Sequence, residues 1–259
     1  MALAALVATA TLVTPSLAVE ELIANLAYAN RDPIIEFTGP APGSDDRADV
    51  TSSGVRVRQG GDVAGVIPGS TNVKMVVSGQ GDFEARLDWQ VNRLDEPVAG
   101  WGQGLLFSVA LDDERQTVLQ LALLARPGKG TRIRAELLGR FVEEPVQKYF
   151  DRPFEDGEFV IARRGDTASF QIVDHAGDGT ARELFSLPCP TEDIRKVGAY
   201  CTRQKEGNTS ADFLLRKLQL TIDSLYAVQA PKQHRFRWWY MLVGGQVLLV
   251  AALLLLRQR

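Results

Sequence analysis

Between Asp82 and Asn92 the chain alternates without a break. Phe83, Ala85, Leu87, Trp89 and Val91 occupy one parity, and Glu84, Arg86, Asp88, Gln90 and Asn92 the other. A period of two puts all five apolar side chains on one face of an extended strand, whereas a helix would scatter them around its axis. The stretch predicts a half-buried β-strand, and the apolar face of such a strand needs a second surface to cover it.

The runs at 34–38, 54–58, 63–67, 73–78, 104–111, 117–125, 132–138, 158–163, 168–173, 183–187, 196–202 and 213–222 read as further strands. They are separated by turn chemistry such as Pro127-Gly128-Lys129-Gly130 and Gly177-Asp178-Gly179. The run 117–125 is apolar on both faces, as an interior strand of a sandwich would be. Residues 39–53 read as a loop, 140–157 as a long polar connection, and 20–30 as a short amphipathic helix. Strand after strand with no long helix between them predicts an all-β, antiparallel two-sheet sandwich or barrel. The 259 residues suffice for one such domain.

Both ends differ from this middle. Residues 2–18 are apolar and close on Pro15 and the small-x-small site Ser16-Leu17-Ala18, with no basic residue before them. They predict a signal segment over 1–18, a buried or membrane-lying N-terminal helix being the alternative. Residues 238–256 carry no charge and open on Trp238, Trp239 and Tyr240. At about 1.5 Å per residue such a span approaches the thickness of a bilayer core, and its aromatic cluster suits the interface. It predicts a single transmembrane helix that anchors the chain, with 227–237 as linker and 257–259 as a cytoplasmic tail. The domain then lies outside the cytoplasm. A tail-anchored arrangement suits the flanking charges better and leaves the N-terminal run unexplained.

Residues 231–259 hold five basic and no acidic residues, so 19–230 hold 24 Lys and Arg against 32 Asp and Glu, a net charge of −8. Such a surface excludes a nucleic-acid backbone as partner. Two His and two Cys are too few for a Cys/His metal cluster.

A resemblance rests on motifs in order: Gly81-Asp82-Phe83-Glu84, the Trp-bearing strand, Gly100-Trp101-Gly102-Gln103-Gly104, an Asp-rich turn, and a hairpin of form G-x-x-x-x-x-R-x-G from Gly157 to Gly165. A closing strand follows at 214–222. The pattern resembles the concanavalin A-like, laminin-G-like jelly roll, and is most similar to an uncharacterised jelly-roll domain of planctomycete bacteria. It covers about residues 33–226, after a leader at 19–32. It implies two curved antiparallel sheets and transfers no catalytic residues.

Some jelly rolls of this shape are glycosidases, whose two carboxylates lie about 5–5.5 Å apart for retention or about 6.5–9.5 Å for inversion. On the polar face of the 82–92 strand, Glu84 and Asp88 are separated by Arg86 and lie roughly 13 Å apart, too far for either. The residues suit a non-enzymatic, lectin-like domain binding a glycan or another envelope protein. A carbohydrate-active enzyme and a purely structural envelope protein are the alternatives. Glu84, Arg86, Asp88 and Trp101 are the ligand-contact candidates, against the ordinary reading of a solvated sheet face and a loop plug. Asp112, Asp113 and Glu114, or Asp45, Asp46 and Asp49, offer oxygens to Ca²⁺, the one cofactor considered. His175 lies in a turn and His234 in the linker, which argues against a His-based triad. Cys189 and Cys201 form a natural disulfide pair in an exported domain, the alternative being two buried thiols.

Overall fold

The computed structural model describes residues 19–40, 46–60, 71–100, 102–139, 146–151, 155–202 and 209–228. The signal segment, the strand expected at 63–67, Trp101, Asp45, His234, the transmembrane span 238–256 and the tail lie outside these. No helix among the described residues is long and apolar enough to cross a membrane.

The described residues form fourteen antiparallel strands. They are β1 (Glu20–Asn25), β2 (Glu36–Thr38), β3 (Arg47–Thr51), β4 (Gly54–Gln59), β5 (Thr71–Leu94), β6 (Gln103–Leu111) and β7 (Val118–Arg126), then β8 (Gly130–Leu138), β9 (Val146–Asp151), β10 (Asp156–Arg164), β11 (Thr167–Asp174), β12 (Ala181–Pro188), β13 (Ile194–Thr202) and β14 (Ala211–Val228). The 82–92 stretch is the centre of β5, which joins the two layers. The first third of β5 pairs with β13, which leads to β6, β7, β8 and β9. The rest of β5 pairs with β10, leading to β11 and β12, and with β14 on its other edge. The two arms fold over each other, so that β10 lies against β6 and β7.

One parity of β5 faces inward along its whole length: Val73, Met75, Val77, Phe83, Ala85, Leu87, Trp89 and Val91 are all buried. Leu105, Phe107 and Val109 of β6 and Leu119, Leu121 and Leu123 of β7, in the same layer as Val73, Met75 and Val77, face the rest of this set from the other layer. Trp89 packs against Phe159, ring centres 5.0 Å apart. The strand turns from one layer into the other at Gly79-Gln80-Gly81. A Cβ at Gly79 would lie 2.7 Å from the Ser224 carbonyl, and Gly81 has φ +88°, which L residues rarely adopt.

Two of the resembling motifs meet here although 80 residues separate them. Arg163 is paired with Phe83 in the β10–β5 register. Its side chain is 1% exposed. The guanidinium donates to the carbonyls of Gly81 (2.6 Å), Pro190 (3.0 Å) and Glu192 (2.6 Å) and lies 5.0 Å from the Phe83 ring centre. Asp82 accepts a hydrogen bond from the Gly165 N–H at 2.7 Å. The arginine of the hairpin and the glycine and aspartate of the G-D-F-E strand are thus one interlocked corner.

Several expectations are corrected. The segment 20–30 is not a helix: its first six residues are β1, hydrogen-bonded to β14, followed by one 3-10 turn at Leu26–Tyr28. The open edge of β14 supplies backbone partners that the local pattern cannot reveal, and Ala24 and Leu26 are buried against it. The loop 39–53 contains β3, paired with β4, and the connection 140–157 contains β9, paired with β8. Both are short edge strands whose few apolar side chains, Ala48 and Val50 of β3 and Phe150 of β9, pack against the core but are too few to stand out in the sequence.

The disulfide is also corrected, since both cysteines are free thiols. Arg163 holds the carbonyls of Pro190 and Glu192 beside the start of β13, which keeps Cys189 at that end. Cys201 is seven residues further along the extended strand from Ile194, a distance of roughly 23 Å. The segment 189–193 leads into an interior strand instead of reversing onto it. Burial pushes the Cys189 thiol up to about 11 and raises that of Cys201 as well.

Candidate functional site

Two polar surfaces lie on the outer faces of the two layers. The first carries the sequence candidates Glu84, Arg86 and Asp88 and is closed upon itself. The β5–β10 register sets Glu158 opposite Asp88, and Arg86 bridges Glu84 (2.7 Å) and Glu158 (2.9 Å). Burial works against the Arg86 charge, but hydrogen bonds to Glu84 and Glu158 prevail and hold its pKa above the ordinary value. Asp88 pairs with Arg216 at 2.7 Å, and Arg216 makes a short contact with Asp156. The Arg216 hydrogen bond holds the Asp156 carboxyl below the usual carboxylate range. These charges are spent on one another across β10, β5 and β14, leaving little for a ligand.

His175 joins this network, its Nδ1 2.8 Å from Asp156 Oδ1. Ligand atoms of Asp88, Asp156 and His175 lie within 4.8 Å of one another, the spacing of a metal site. The Arg216 guanidinium already stands there, 2.7 Å from Asp88 and 3.0 Å from His175 Nδ1. A divalent cation would have to displace a cation held by two carboxylates. The Ca²⁺ candidates are used in other ways. Asp113 accepts from the Thr117 N–H (2.6 Å) and hydroxyl (2.5 Å), closing the β6–β7 turn with Asp112 and Glu114. Asp46 is 3% exposed, and Asp49 pairs with Arg58 at 2.6 Å.

The second surface was not singled out from the sequence. It lies on the outer face of the layer built from β2, the start of β5, β13, β6, β7 and β8. The registers align one residue per strand into a row: Glu36, Lys74, Gly198, Ser108, Gln120 and Glu136. The next row contains Asn72, Tyr200, Leu106, Ala122 and Arg134. A depression of about 380 Å³ opens over these rows. Gly198 shapes it, because a Cβ there would lie 2.7 Å from the Lys74 Cβ.

The polar groups of the depression are deeply set. Ser108 and Gln120 are 4% and 2% exposed, and Glu136, next in the row but outside the lining of the depression, is 1% exposed. The Gln120 amide donates to the Tyr200 hydroxyl at 2.6 Å, fixing both side chains. Glu136 sits 2.6 Å from an Arg134 guanidinium nitrogen without an aligned hydrogen bond at Oε1. Burial outweighs that neighbour and raises the Glu136 pKa. Burial likewise raises that of Tyr200. Lys74 pairs with Glu36 at 2.9 Å at the open rim. The arrangement presents the Gln120 amide and the Ser108 and Tyr200 hydroxyls in a depression also lined by Asn72, Lys74, Arg195 and Lys196. A signal existed in the sequence. Gln120 is a lone amide within an apolar strand, and Ser108 a lone hydroxyl within another.

No protein-family model matches the sequence, so the likeness to the planctomycete domain rests on the residues quoted above. No curated protein matches it either. Solved structures match in shape. Peanut lectin with a nine-residue peptide superposes with a TM-score of 0.52 at 10% identity, over 81% of this chain and 99% of the lectin. The CBM2 module of the evolved Dit protein of Lactobacillus casei BL23 phage J-1 gives 0.53 at 11% identity, over 78% and 95%. Winged bean acidic lectin, complexed with methyl-α-D-galactose, gives 0.51 at 11% identity, over 80% and 100%. The fold is the concanavalin A-like jelly roll.

Proposed function

We propose that this chain is a non-enzymatic, lectin-like domain that binds a glycan in the depression on the outer face of the β13–β6–β7–β8 layer. The observation that carries the reading is the row Lys74, Gly198, Ser108 and Gln120, with Tyr200 beside it, all lining the depression. Buried polar groups held in place discriminate strongly, because a ligand lacking matching hydroxyls leaves them unpaired. Four neighbouring strands at about 4.8 Å spacing make the row roughly 14 Å long, room for a short oligosaccharide. A volume of about 380 Å³ falls in the range of ligand pockets. The lectin folds support the same class of ligand. Among the described residues that line the depression there is no carboxylate, and both glycosidase mechanisms need two. In this reading residues 1–18 export the domain and 238–256 anchor it outside the cytoplasmic membrane.

The test is a glycan array with the detergent-solubilised full chain, followed by calorimetric titration of the best sugar. Gln120→Ala and Tyr200→Ala should each weaken binding at least about tenfold, the loss of one to two good hydrogen bonds. Turnover of the sugar would overturn the non-enzymatic part, and binding untouched by both substitutions would overturn the site.

A further inference from the structure

A different row lies on the outer face of the other layer, where β3, β4, β14 and β5 run side by side near their ends. The registers place Arg47 opposite Arg58, Arg58 opposite Asp212, and Asp212 opposite Arg93. Three guanidinium groups therefore stand at one level on four neighbouring strands, in a span whose net charge is −8. Asp212 stands among them and attracts Arg58, but its closest partners are others. Its carboxylate is engaged by Arg56 (2.6 and 3.0 Å) and by the Asn92 amide (3.1 Å). Arg47 has no acidic partner among the described residues. Arg58 and Arg93 hold Asp49 and Asp95 in solvent-exposed pairs, which exchange readily.

Two features set this row apart from an ordinary charged surface. Like charges directly opposed on paired strands destabilise a sheet, and Arg47 faces Arg58. The arginines also border a cavity of about 310 Å³ lined by Gln59, Gly60 and Ser210. Ala211 and Asp212 complete its lining.

We propose that this cavity is an anion site that takes the tetrahedral oxyanion of a sulfate or phosphate ester. Guanidinium forks match such oxygens two at a time, and the bound charge relieves the Arg47–Arg58 repulsion. The site is on a different layer from the glycan trough and does not depend on it.

The experiment titrates the detergent-solubilised full chain with glucosamine 6-sulfate, glucose 6-phosphate and uncharged glucose at constant ionic strength. One or both esters should bind, at least about tenfold tighter than glucose, and the tighter one names the source of the oxyanion. Arg47→Gln with Arg58→Gln should abolish that preference, while Arg58→Lys, which keeps the charge and loses the fork, should give an intermediate affinity. Both arginines are on strands at the border of the layer, and an unchanged melting temperature verifies the fold. The salt dependence of ester binding by the unsubstituted chain is a readout that needs no variant. Equal affinity for ester and glucose, or an ester preference that survives the double substitution, overturns the proposal.

Discussion

Replacing Arg163 by Met tests what ties the corner of the sandwich together. The apolar stem survives, and the guanidinium is lost. Three backbone carbonyls, those of Gly81, Pro190 and Glu192, lose their donor. Each orphaned acceptor costs about 1–3 kcal/mol if it stays dry. The contact with the Phe83 ring is worth about 1–2 kcal/mol more at a buried site. Against this, the variant no longer removes a charge from water, a relief of several kcal/mol. The balance is a destabilisation of about 3 kcal/mol, or a fall in melting temperature of roughly 6–12 °C for a domain of this size. Arg163→Lys offers an ammonium that cannot reach three divergent carbonyls and should fall between the two. Urea and thermal unfolding of the full chain measure both. If Arg163→Met is within about 1 kcal/mol of the parent, or Arg163→Lys is no better than Arg163→Met, the tether is not what stabilises the corner.

Three further outcomes are expected. Because burial raises the Glu136 pKa in the fold, its carboxyl favours folding most below the ordinary glutamate range and loses that contribution as the pH rises through the raised value. Glu136→Gln should therefore gain stability relative to the parent as the pH rises above the ordinary glutamate range of about 4, and a pH-independent difference in unfolding free energy would remove the argument. Thiol titration of the unreduced protein should find two free thiols after denaturation and slow labelling before it, since both are buried and the Cys189 thiol is pushed up to about 11; a denatured count of zero would restore the disulfide. A chain starting at residue 31 should be about 3 kcal/mol less stable than one starting at residue 19, because it loses β1 and the buried Ala24 and Leu26. Equal urea midpoints for the two would show that β1 contributes nothing.

The alternation in 82–92 sets which side of β5 is buried, and no neighbour is needed to know it. Most strands follow from the same logic, because water sorts side chains by polarity before any partner is chosen. The motifs around Gly81 and Arg163 are legible as a jelly-roll pattern, yet their role as one hydrogen-bonded corner is not, since it depends on the β10–β5 pairing. Edge strands β1, β3 and β9 escape notice because backbone pairing with a partner holds them, whereas their own side chains alternate weakly. The candidate site shows the same division. Glu84 and Asp88 stand out in the sequence, but Glu158, Asp156 and Arg216 arrive from distant strands and consume their charge. Gln120, Ser108 and Tyr200 are unremarked singly. Strand register brings them to two adjacent levels, and register is a property of pairs of strands, so only the tertiary structure decides where the depression lies.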